Sequence, residues 1–505
     1  MKKRNNAYKR YWITFLGAAL IAFGCLCYYA AAWYSETYGQ IGFDSIIYTL
    51  TSDIGGVDTG LISSFIKYIV KYIPLWVICI VVLFFSCKQK IFCQLFGKYV
   101  FCLYPFKQTT ALVLSAAISL ALMCNAAVIT DFHVYLKNLG QYSTLYEEQY
   151  CDPGTVDVIF PEEKRNLIYI FLESMETTFF SEEEGGALSH NVIPELHQLA
   201  QTNINFSHSN GVGGFSSVAG TTWTMGAMVG HTAGIPLKMP FGIGGNEYGG
   251  AEFFLPGVTS ITDILHDNGY IQATCYGSDA FFGGRYQYYT QHGNDSVYDL
   301  YTARTDGIIP EGYDNEFWGM EDMYLFEYAK QILGELAEKE EPFALTMLTV
   351  DTHHIDGYLC ELCENTYEEQ YENVYRCASK QLISFISWLR QQEFYENTTV
   401  VVVGDHPSMD GGYMSRNVSE NYDRKVYNCI LNSAVQTNNT KNRGFSTFDM
   451  FPTTLAAMGC IIEGDRLGLG TNLFSDRLTL MEEMGQDVFK EEVSRFSEYY
   501  EKTFF

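Results

Sequence analysis

Basic residues are scarce in this 505-residue chain, which has 32 lysines and arginines against 59 aspartates and glutamates. The scarcity begins after residue 130, because residues 1–130 contain 11 basic side chains and only 4 acidic ones. A domain that binds nucleic acid needs a basic surface to neutralise phosphates. The acidic part of the chain therefore argues against a nucleic-acid partner, and we interpret its charge as a solvated surface.

Charged side chains are absent from three apolar runs, residues 11–33, 72–87 and 108–130. A helix rises about 1.5 Å per residue, so about 20 residues cross a hydrocarbon core of about 30 Å. The second run is shorter and extends through Lys71, whose stem is long enough to reach the interface. We therefore predict about three transmembrane helices. A further apolar stretch, residues 91–105, is too short and is interrupted by Lys98.

Lysine and arginine are also missing from the loop at residues 35–66, whereas the N-terminus and the connector before the third run are basic. By the positive-inside rule, the N-terminus is cytoplasmic and the chain after Asp131 lies outside. We therefore predict a multi-pass membrane protein with an extracytoplasmic globular part. Its predicted divisions are a transmembrane region at 1–130, a linker at 131–165, a main domain at 166–475 and a C-terminal helical tail at 476–505.

A second Cys-x-x-Cys pair is missing as well. Seven of the 14 cysteines lie after residue 130, and an odd number cannot all pair within one chain. Cys360 and Cys363 have the spacing of a disulfide or of half a zinc site. Without a second such pair, the sequence gives a metal role for these cysteines little support.

Short apolar runs rich in β-branched or aromatic residues predict strands buried on both faces of a parallel sheet. Four such runs are residues 166–172, 271–276, 343–350 and 398–403. Apolar side chains at helical spacing occupy residues 325–336 and 374–389. Strands that alternate with helices predict an α/β fold with a mostly parallel sheet flanked by helices.

Polar residues follow each predicted strand: Glu173, Arg285 in the 277–285 loop, His353 and His354, and Asp405 with His406. In sheets of this kind, ligands bind beyond the carboxyl ends of the strands. Carboxylates with an imidazole suit Mn²⁺, Mg²⁺ or Zn²⁺. Taken singly, an Asp-His pair is equally well a turn cap beside a surface histidine. Together these residues favour a metal-dependent phosphoryl-transfer site.

A glycine-rich segment at residues 211–236 supplies candidate nucleophiles. It turns helix-like after Thr221 and Thr222, which we place at the start of the predicted helix. A hydroxyl there meets backbone N–H groups and the positive end of the helix dipole, which favours a phosphorylated intermediate. An ordinary N-cap threonine is the alternative interpretation.

Five motifs in chain order carry a family resemblance: LESMETTFF, GTTWTMGAMVGHTAGIPL, GGRYQYYTQHG, TVDTHHIDGYL and VVGDH. They resemble the alkaline phosphatase/sulfatase superfamily, in the branch that includes lipoteichoic acid synthase and phosphoglycerol transferase I. The resemblance covers about residues 166–475. It implies a bacterial membrane enzyme with an extracytoplasmic, sulfatase-like catalytic domain and one bound ion, Mn²⁺ or else Mg²⁺ or Zn²⁺.

The resemblance also implies roles for particular residues. Glu173, Asp405 and His406 resemble the family's metal ligands. The family's spacing selects Thr221 as the nucleophile that also binds the metal, with Thr222 as the alternative. No Cys/Ser-x-Pro-x-Arg run lies near Thr221, which disfavours an arylsulfatase.

Arg285 and His353 resemble the residues that hold the phosphoglycerol group, and His354 is the alternative to His353. The implied reaction moves phosphoglycerol from phosphatidylglycerol to a glycan or glycolipid through a phospho-threonine intermediate. Lipoteichoic acid synthases typically have Trp two positions before the arginine, where this chain has Gly283. A lipoteichoic acid polymerase, a phosphoethanolamine transferase and a catalytically silent membrane receptor are the alternative functions.

Overall fold

The computed structural model describes residues 2–39, 43, 46, 59–86, 91–95, 98–103, 107–238, 253–313 and 317–505. The chain forms two compact units, one made of most of the described residues before Tyr135 and one that contains residues from Tyr135 to Phe505. Each unit is described separately below.

The first unit contains three long helices and a hairpin. The helices are α1 (Lys2–Tyr38), α2 (Thr59–Ser86) and α3 (Gln108–Ile129), and the hairpin strands are β1 (Ile91–Leu95) and β2 (Lys98–Leu103). Each helix has a segment long and apolar enough to cross a membrane: Trp12–Tyr38, Ile62–Phe84 and Gln108–Ile129. The predicted apolar helices are therefore confirmed as helices.

Small residues let α1 and α3 approach closely. A Cβ atom added at Gly24 would lie 2.7 Å from the Cα atom of Ser119, and one added at Gly17 would lie 3.0 Å from the Ser115 hydroxyl. Packing through small residues is typical of helices in membranes, where close van der Waals contact replaces the hydrophobic effect.

The second unit is built on a seven-stranded sheet in the order β5-β10-β9-β4-β8-β6-β7. The strands of this unit are β3 (Val158–Ile159), β4 (Asn166–Leu172), β5 (Gly214–Phe215), β6 (Ile271–Tyr276), β7 (Ser296–Tyr298), β8 (Phe343–Leu348), β9 (Thr398–Gly404), β10 (Val426–Leu431), β11 (Ile461–Ile462), β12 (Arg466–Leu467) and β13 (Gly470–Thr471). Strands β4, β6, β7, β8 and β9 run parallel to one another. At one end of the sheet, β10 pairs antiparallel with β9, and the edge strand β5 pairs antiparallel with β10.

Helices surround this sheet. They are α4 (Phe132–Leu139), α5 (Leu145–Gln149), α6 (Pro194–Thr202), α7 (Thr224–Ala233), α8 (Ile261–Asp267), α9 (Arg285–Gln291), α10 (Leu300–Thr305), α11 (Asp322–Ala337), α12 (Gln370–Leu389), α13 (Gly411–Asn417), α14 (Met450–Ala457), α15 (Leu480–Met484), α16 (Gln486–Ser494) and α17 (Glu498–Phe504).

The burial of strand β4 shows that helices cover both faces of the sheet. Every residue of β4 is buried, and successive side chains point to opposite faces. Tyr169 and Phe171 belong to a core that includes residues of α7 and α14. Ile168 and Ile170 belong to a second core with residues of α11 and α12. The predicted α/β class, with a mostly parallel sheet flanked by helices, is confirmed.

The strand ends lie level with one another. Leu172 of β4 pairs with Gly404 of β9, and Leu348 of β8 pairs with Phe171 and Tyr276. Strand β8 ends two residues before the predicted end because the backbone N–H groups that follow donate to the Asp322 carboxylate. The polar residues after four strands therefore meet at one edge of the sheet.

Candidate active site

Glu173, Asp405 and His406 come together where β4 and β9 end. Glu173 follows β4 directly, and Asp405 follows β9 directly. Ligand atoms of all three residues lie within 4.8 Å of one another, and all three side chains are buried. The in-register pairing of two parallel strands thus builds a cluster of two carboxylates and one imidazole.

The Asp405 carboxylate is oriented by backbone donors. Its Oδ1 accepts hydrogen bonds from the N–H groups of Ser174 and His406, both at 2.7 Å. Its Oδ2 is buried and accepts no hydrogen bond from the described part of the chain. A Cβ atom at Gly404 would lie 1.8 Å from the carbonyl oxygen of Met175, so only glycine lets these segments meet.

The His406 ring is placed as a metal ligand would be. Its Nδ1 lies 2.9 Å from the carbonyl oxygen of Pro407, and this contact assigns the proton to Nδ1. The lone pair of Nε2 then faces Asp405 Oδ2 at 3.3 Å and Glu173 Oε1 at 3.7 Å. A backbone acceptor on the far nitrogen is the usual way in which proteins fix the tautomer of a metal-binding histidine.

The charges of the cluster conflict with one another. Burial and the neighbouring Glu173 carboxylate raise the pKa of Asp405 to about 7. Burial raises the pKa of Glu173, but His353 and His406 outweigh it and hold that pKa below its usual value. Burial lowers the pKa of His406, whereas Asp405 and Glu173 raise it above its usual value. Two buried carboxylates with one unbonded oxygen fit a divalent cation, which would balance their charge.

The Thr224 hydroxyl lies beside this cluster. Thr224 is the first residue of α7, after an extended N-cap at Trp223. Its Oγ1 is 3.4 Å from Glu173 Oε2 and 3.3 Å from His406 Nε2. Of the three threonine hydroxyls at this end of α7, it alone reaches the cluster among the residues that the structure describes.

Thr221, the predicted nucleophile, is not brought to the cluster. Its buried hydroxyl exchanges hydrogen bonds at 3.0 Å with the N–H and carbonyl groups of Val218 and lies 3.3 Å from the Thr447 hydroxyl. The predicted helix start at Thr221 and Thr222 is wrong, because Gly220 forms a left-handed turn (φ 79°) and α7 begins only at Thr224.

Arg285 occupies a pocket next to Thr224. Its Nη2 donates to the Ser278 hydroxyl at 2.9 Å and to the carbonyl oxygen of Asp279 at 2.6 Å. The guanidinium lies over the Tyr276 ring, 5.2 Å from its centroid. The residue two positions before it, Gly283, has φ 67°, a left-handed conformation that disfavours a tryptophan.

His353 lies in the same pocket as Thr224 and Arg285. Its ring stands 4.2 Å from the Trp318 ring, measured between centroids, and its Nδ1 is 2.8 Å from the carbonyl oxygen of His354. Burial lowers the pKa of His353 below its usual value, although the Glu173 carboxylate acts in the opposite direction. His354 is not among the described residues that line the pocket.

A buried network holds the strand-end loops in place. The hydroxyl of Tyr375, on α12, donates to the carbonyl oxygen of Ser174 at 2.7 Å. The Thr352 hydroxyl donates to the Glu173 carbonyl at 2.6 Å, and the Thr349 hydroxyl accepts from the Glu173 N–H at 2.9 Å. Ser174 has φ 55°, a left-handed conformation for which a non-glycine residue needs such support.

The pocket residues that were not predicted as site residues include Thr224, Ser278 and Trp318. Thr224 had a signal in the sequence, because it is the last hydroxyl residue before the apolar run MGAMV and satisfies the helix-start rule as well as Thr221 does. Ser278 lies in the 277–285 loop that the strand-end rule singles out. Trp318 has no signal of its own, since an isolated aromatic residue is ordinary in any core.

A larger cleft of about 650 Å³ lies beside β10, away from these groups. Its lining is mostly amide and hydroxyl side chains, with Lys441 as its cation and without a carboxylate or an imidazole among the described lining residues. The carboxylate, imidazole and guanidinium groups therefore lie at the smaller pocket at the strand ends and not in this cleft.

The chain is similar to a known protein family and to curated proteins. A family model described as Sulfatase matches residues 165–460. Phosphoglycerol transferase I of Xanthomonas campestris pv. campestris is 31% identical over 254 residues, which cover 49% of this chain and 34% of that protein. Phosphoglycerol transferase I of Escherichia fergusonii is 30% identical over 256 residues, covering 50% and 32%. The matches thus span about a third of the length of these curated relatives.

Among solved structures, the lipoteichoic acid synthase LtaP of Listeria monocytogenes superposes with a TM-score of 0.50 at 20% sequence identity. The superposition covers 67% of this chain and 93% of that chain. At this identity, the likeness supports the fold and nothing finer.

Proposed function

The chain belongs to the sulfatase family, and we propose that it is a membrane-anchored, metal-dependent phosphotransferase. In this proposal it moves phosphoglycerol from phosphatidylglycerol to a hydroxyl of an extracytoplasmic glycan or glycolipid. The observation that carries the proposal is the position of the Thr224 hydroxyl. It lies beside Glu173 and His406, and Thr224 lines the pocket that also contains Arg285. The proposed catalytic domain is residues 166–475.

The residues proposed to hold the ion are Glu173, Asp405, His406 and Thr224. Hard oxygen ligands with one imidazole suit Mn²⁺, and also Mg²⁺ or Zn²⁺. A divalent cation there supplies positive charge that favours the alkoxide form of a bound hydroxyl and offsets the charge of a phosphate.

Thr224 acts as the nucleophile in the first step. Its Oγ1 attacks the phosphorus of phosphatidylglycerol, a P–O bond to threonine forms, and the P–O bond to diacylglycerol breaks. The threonine proton must end on the departing diacylglycerol oxygen. His353 lies in the same pocket, so its ring is placed to pass that proton on.

The second step returns the enzyme to its starting state. An acceptor hydroxyl attacks the phosphorus, forms the product phosphodiester and breaks the bond to Thr224, and the proton of that hydroxyl restores the hydroxyl group of Thr224. In both steps the guanidinium of Arg285 neutralises the oxygens that are not transferred. Ser278 and the Asp279 carbonyl hold that guanidinium in place, so its position is fixed before the lipid binds.

The transferred group and the acceptor distinguish this proposal from its alternatives. Glycerophosphate chains as product would indicate a lipoteichoic acid polymerase, and ethanolamine phosphate would indicate a phosphoethanolamine transferase. We favour single transfers because Gly283 stands where polymerases of the resembling branch typically have Trp. The phosphoglycerol transferase I relatives are the second support for the transferred group.

The test uses the full chain in detergent with Mn²⁺ and phosphatidylglycerol labelled in its headgroup. Thr224→Ala should lower diacylglycerol release by about 10⁴-fold or more, because the covalent route loses its attacking oxygen. Thr222→Ala is the matched control, since Thr222 is two residues away and its hydroxyl does not reach the cluster. It should keep near wild-type activity.

Intact-mass analysis without acceptor should show a glycerophosphate adduct on the peptide that contains Thr224. An adduct on Thr221 would return the nucleophile to the residue that the family spacing selects. Wild-type turnover in Thr224→Ala, with no adduct in any variant, would refute the covalent route.

A further inference from the structure

A second group of metal-ligand atoms lies outside the proposed active site. The thiols of Cys360, Cys363 and Cys377 are all within 4.8 Å of one another. Cys360 Sγ is 3.6 Å from Cys363 Sγ and 3.7 Å from Cys377 Sγ, and all three cysteines are free. No step proposed above uses them.

These separations match sulfurs around one ion. Two sulfurs bound to a tetrahedral zinc at about 2.3 Å are about 3.8 Å apart, whereas a disulfide holds its sulfurs at about 2.05 Å. We propose that Cys360, Cys363 and Cys377 bind a zinc ion through three thiolates. The site is distinct from the cluster of Glu173, Asp405 and His406.

The backbone builds this site from a turn and a helix. The N–H of Cys363 donates to the Cys360 carbonyl at 3.1 Å, which closes the turn and points both thiols to one side. The two-residue spacing is the one found in structural zinc sites. The third thiol comes from Cys377 on α12. This single cysteine from another element stands in place of the second Cys-x-x-Cys pair that the sequence lacks.

The surroundings stabilise thiolates. Gln381 lies one turn after Cys377 on α12, and its Nε2 donates to Cys377 Sγ at 3.4 Å and to Cys360 Sγ at 3.7 Å. Hydrogen bonds of this kind from outside the ligand set are common around zinc.

Burial indicates where the fourth coordination position lies. Cys360 and Cys377 are buried, and Cys363 is half-buried. An ion held by these thiolates would therefore have its open coordination position on the Cys363 side. Because one ligand pair is on the segment between β8 and α12, the ion ties that segment, which also carries His353, to the helix.

Cobalt substitution tests the site independently of activity. The purified full chain, depleted of metal and loaded with Co²⁺, should show sulfur-to-cobalt charge-transfer absorption in the near ultraviolet. The cluster of Glu173, Asp405 and His406 contains no sulfur, so its occupancy cannot produce that band. Cys377→Ala should lose the band and lower the bound zinc by about one ion per chain.

Cys429→Ala is the matched control, because Cys429 is equally buried but lies on β10 with its thiol 3.7 Å from the Leu199 carbonyl. It should keep both the band and the zinc. If Cys377→Ala does not fold, the wild-type chain alone decides the matter through its cobalt spectrum. A wild-type chain without the band, in which two of the three thiols become reactive only after reduction, would overturn the proposal in favour of a disulfide.

Discussion

The two three-residue clusters of this protein differ in chemistry and in what surrounds them. Glu173, Asp405 and His406 offer hard oxygen and nitrogen atoms from the ends of two paired strands, next to a hydroxyl and a pocket. Cys360, Cys363 and Cys377 offer soft sulfur atoms from a turn and a helix. The first cluster is therefore placed to meet a substrate, whereas the second joins a turn to a helix away from the pocket.

Helix α12 serves both clusters. Its Tyr375 hydroxyl supports the carbonyl oxygen of Ser174, next to Glu173, and its Cys377 belongs to the sulfur group. A substitution in one cluster should therefore leave the other cluster intact, and a substitution that disturbed both would show that α12 couples them.

Among substitutions that separate the two clusters, the largest effect is expected for Asp405→Asn. This variant keeps the shape of the side chain but removes a charge from the proposed ion site, which should cost about 4 kcal/mol, or about 10³-fold in transfer rate. Bound Mn²⁺ should be lost, while the thiolate-cobalt band should persist. Elemental analysis and the rate of diacylglycerol release measure the two results.

Asp449→Asn is the control for Asp405→Asn. Asp449 is also buried and also accepts backbone hydrogen bonds, from Ser446 and Thr471, but it lies outside the cluster. Its substitution should leave Mn²⁺ bound. Retention of stoichiometric Mn²⁺ in Asp405→Asn would show that the ligand set is chosen wrongly.

An intermediate effect is expected for Arg285→Lys. Lysine keeps the charge but loses the planar fork that Ser278 and the Asp279 carbonyl hold, so the rate should fall by about 10²-fold with Mn²⁺ still bound. Arg443→Lys is the control, because Arg443 is equally buried but pairs with Glu482 elsewhere. It should lower thermal stability and leave the rate nearly unchanged. Equal rate losses in both variants would remove the special role of Arg285.

The smallest effect is expected for Tyr375→Phe, which deletes the hydrogen bond to the Ser174 carbonyl. Loss of one buried hydrogen bond should cost about 1 kcal/mol of stability, and loss of support for a metal ligand about tenfold in rate. Tyr413→Phe removes a comparable buried bond, to Glu372 at 2.9 Å, and should cost stability alone. Denaturant titration and the transfer assay separate the two contributions.

Much of the fold could be predicted from the sequence because its central strands are buried on both faces. Continuous apolar runs located β4 and β6 at their observed bounds. Strand β10, which lies between β9 and the edge strand β5, gives a weaker signal because Asn428 interrupts it. That side chain bonds to the N–H and carbonyl groups of Phe206, a long-range pairing that local pattern does not reveal.

The site was predictable where it depends on strand ends and not where it depends on turns. Glu173, Asp405 and His406 follow strands directly, so the strand-end rule places them together. The choice among threonines depends on where α7 begins, which the left-handed turn at Gly220 decides. The contact between Cys377 and Cys360 could not be predicted from the sequence, because no local pattern indicates which face of α12 packs against the turn.

The in-register pairing of β4 with β9 also sets an order of events during synthesis. Ser174 and Asp405, which hydrogen-bond at the joined strand ends, are 231 positions apart. The N-terminal half of the proposed ion site therefore leaves the ribosome long before the other half exists. Strand β9 must then pair with β4, a slow, long-range step, before β10 can add to β9. The proposed ion site is incomplete until β9 has paired, so we expect activity to begin only with a nearly complete fold.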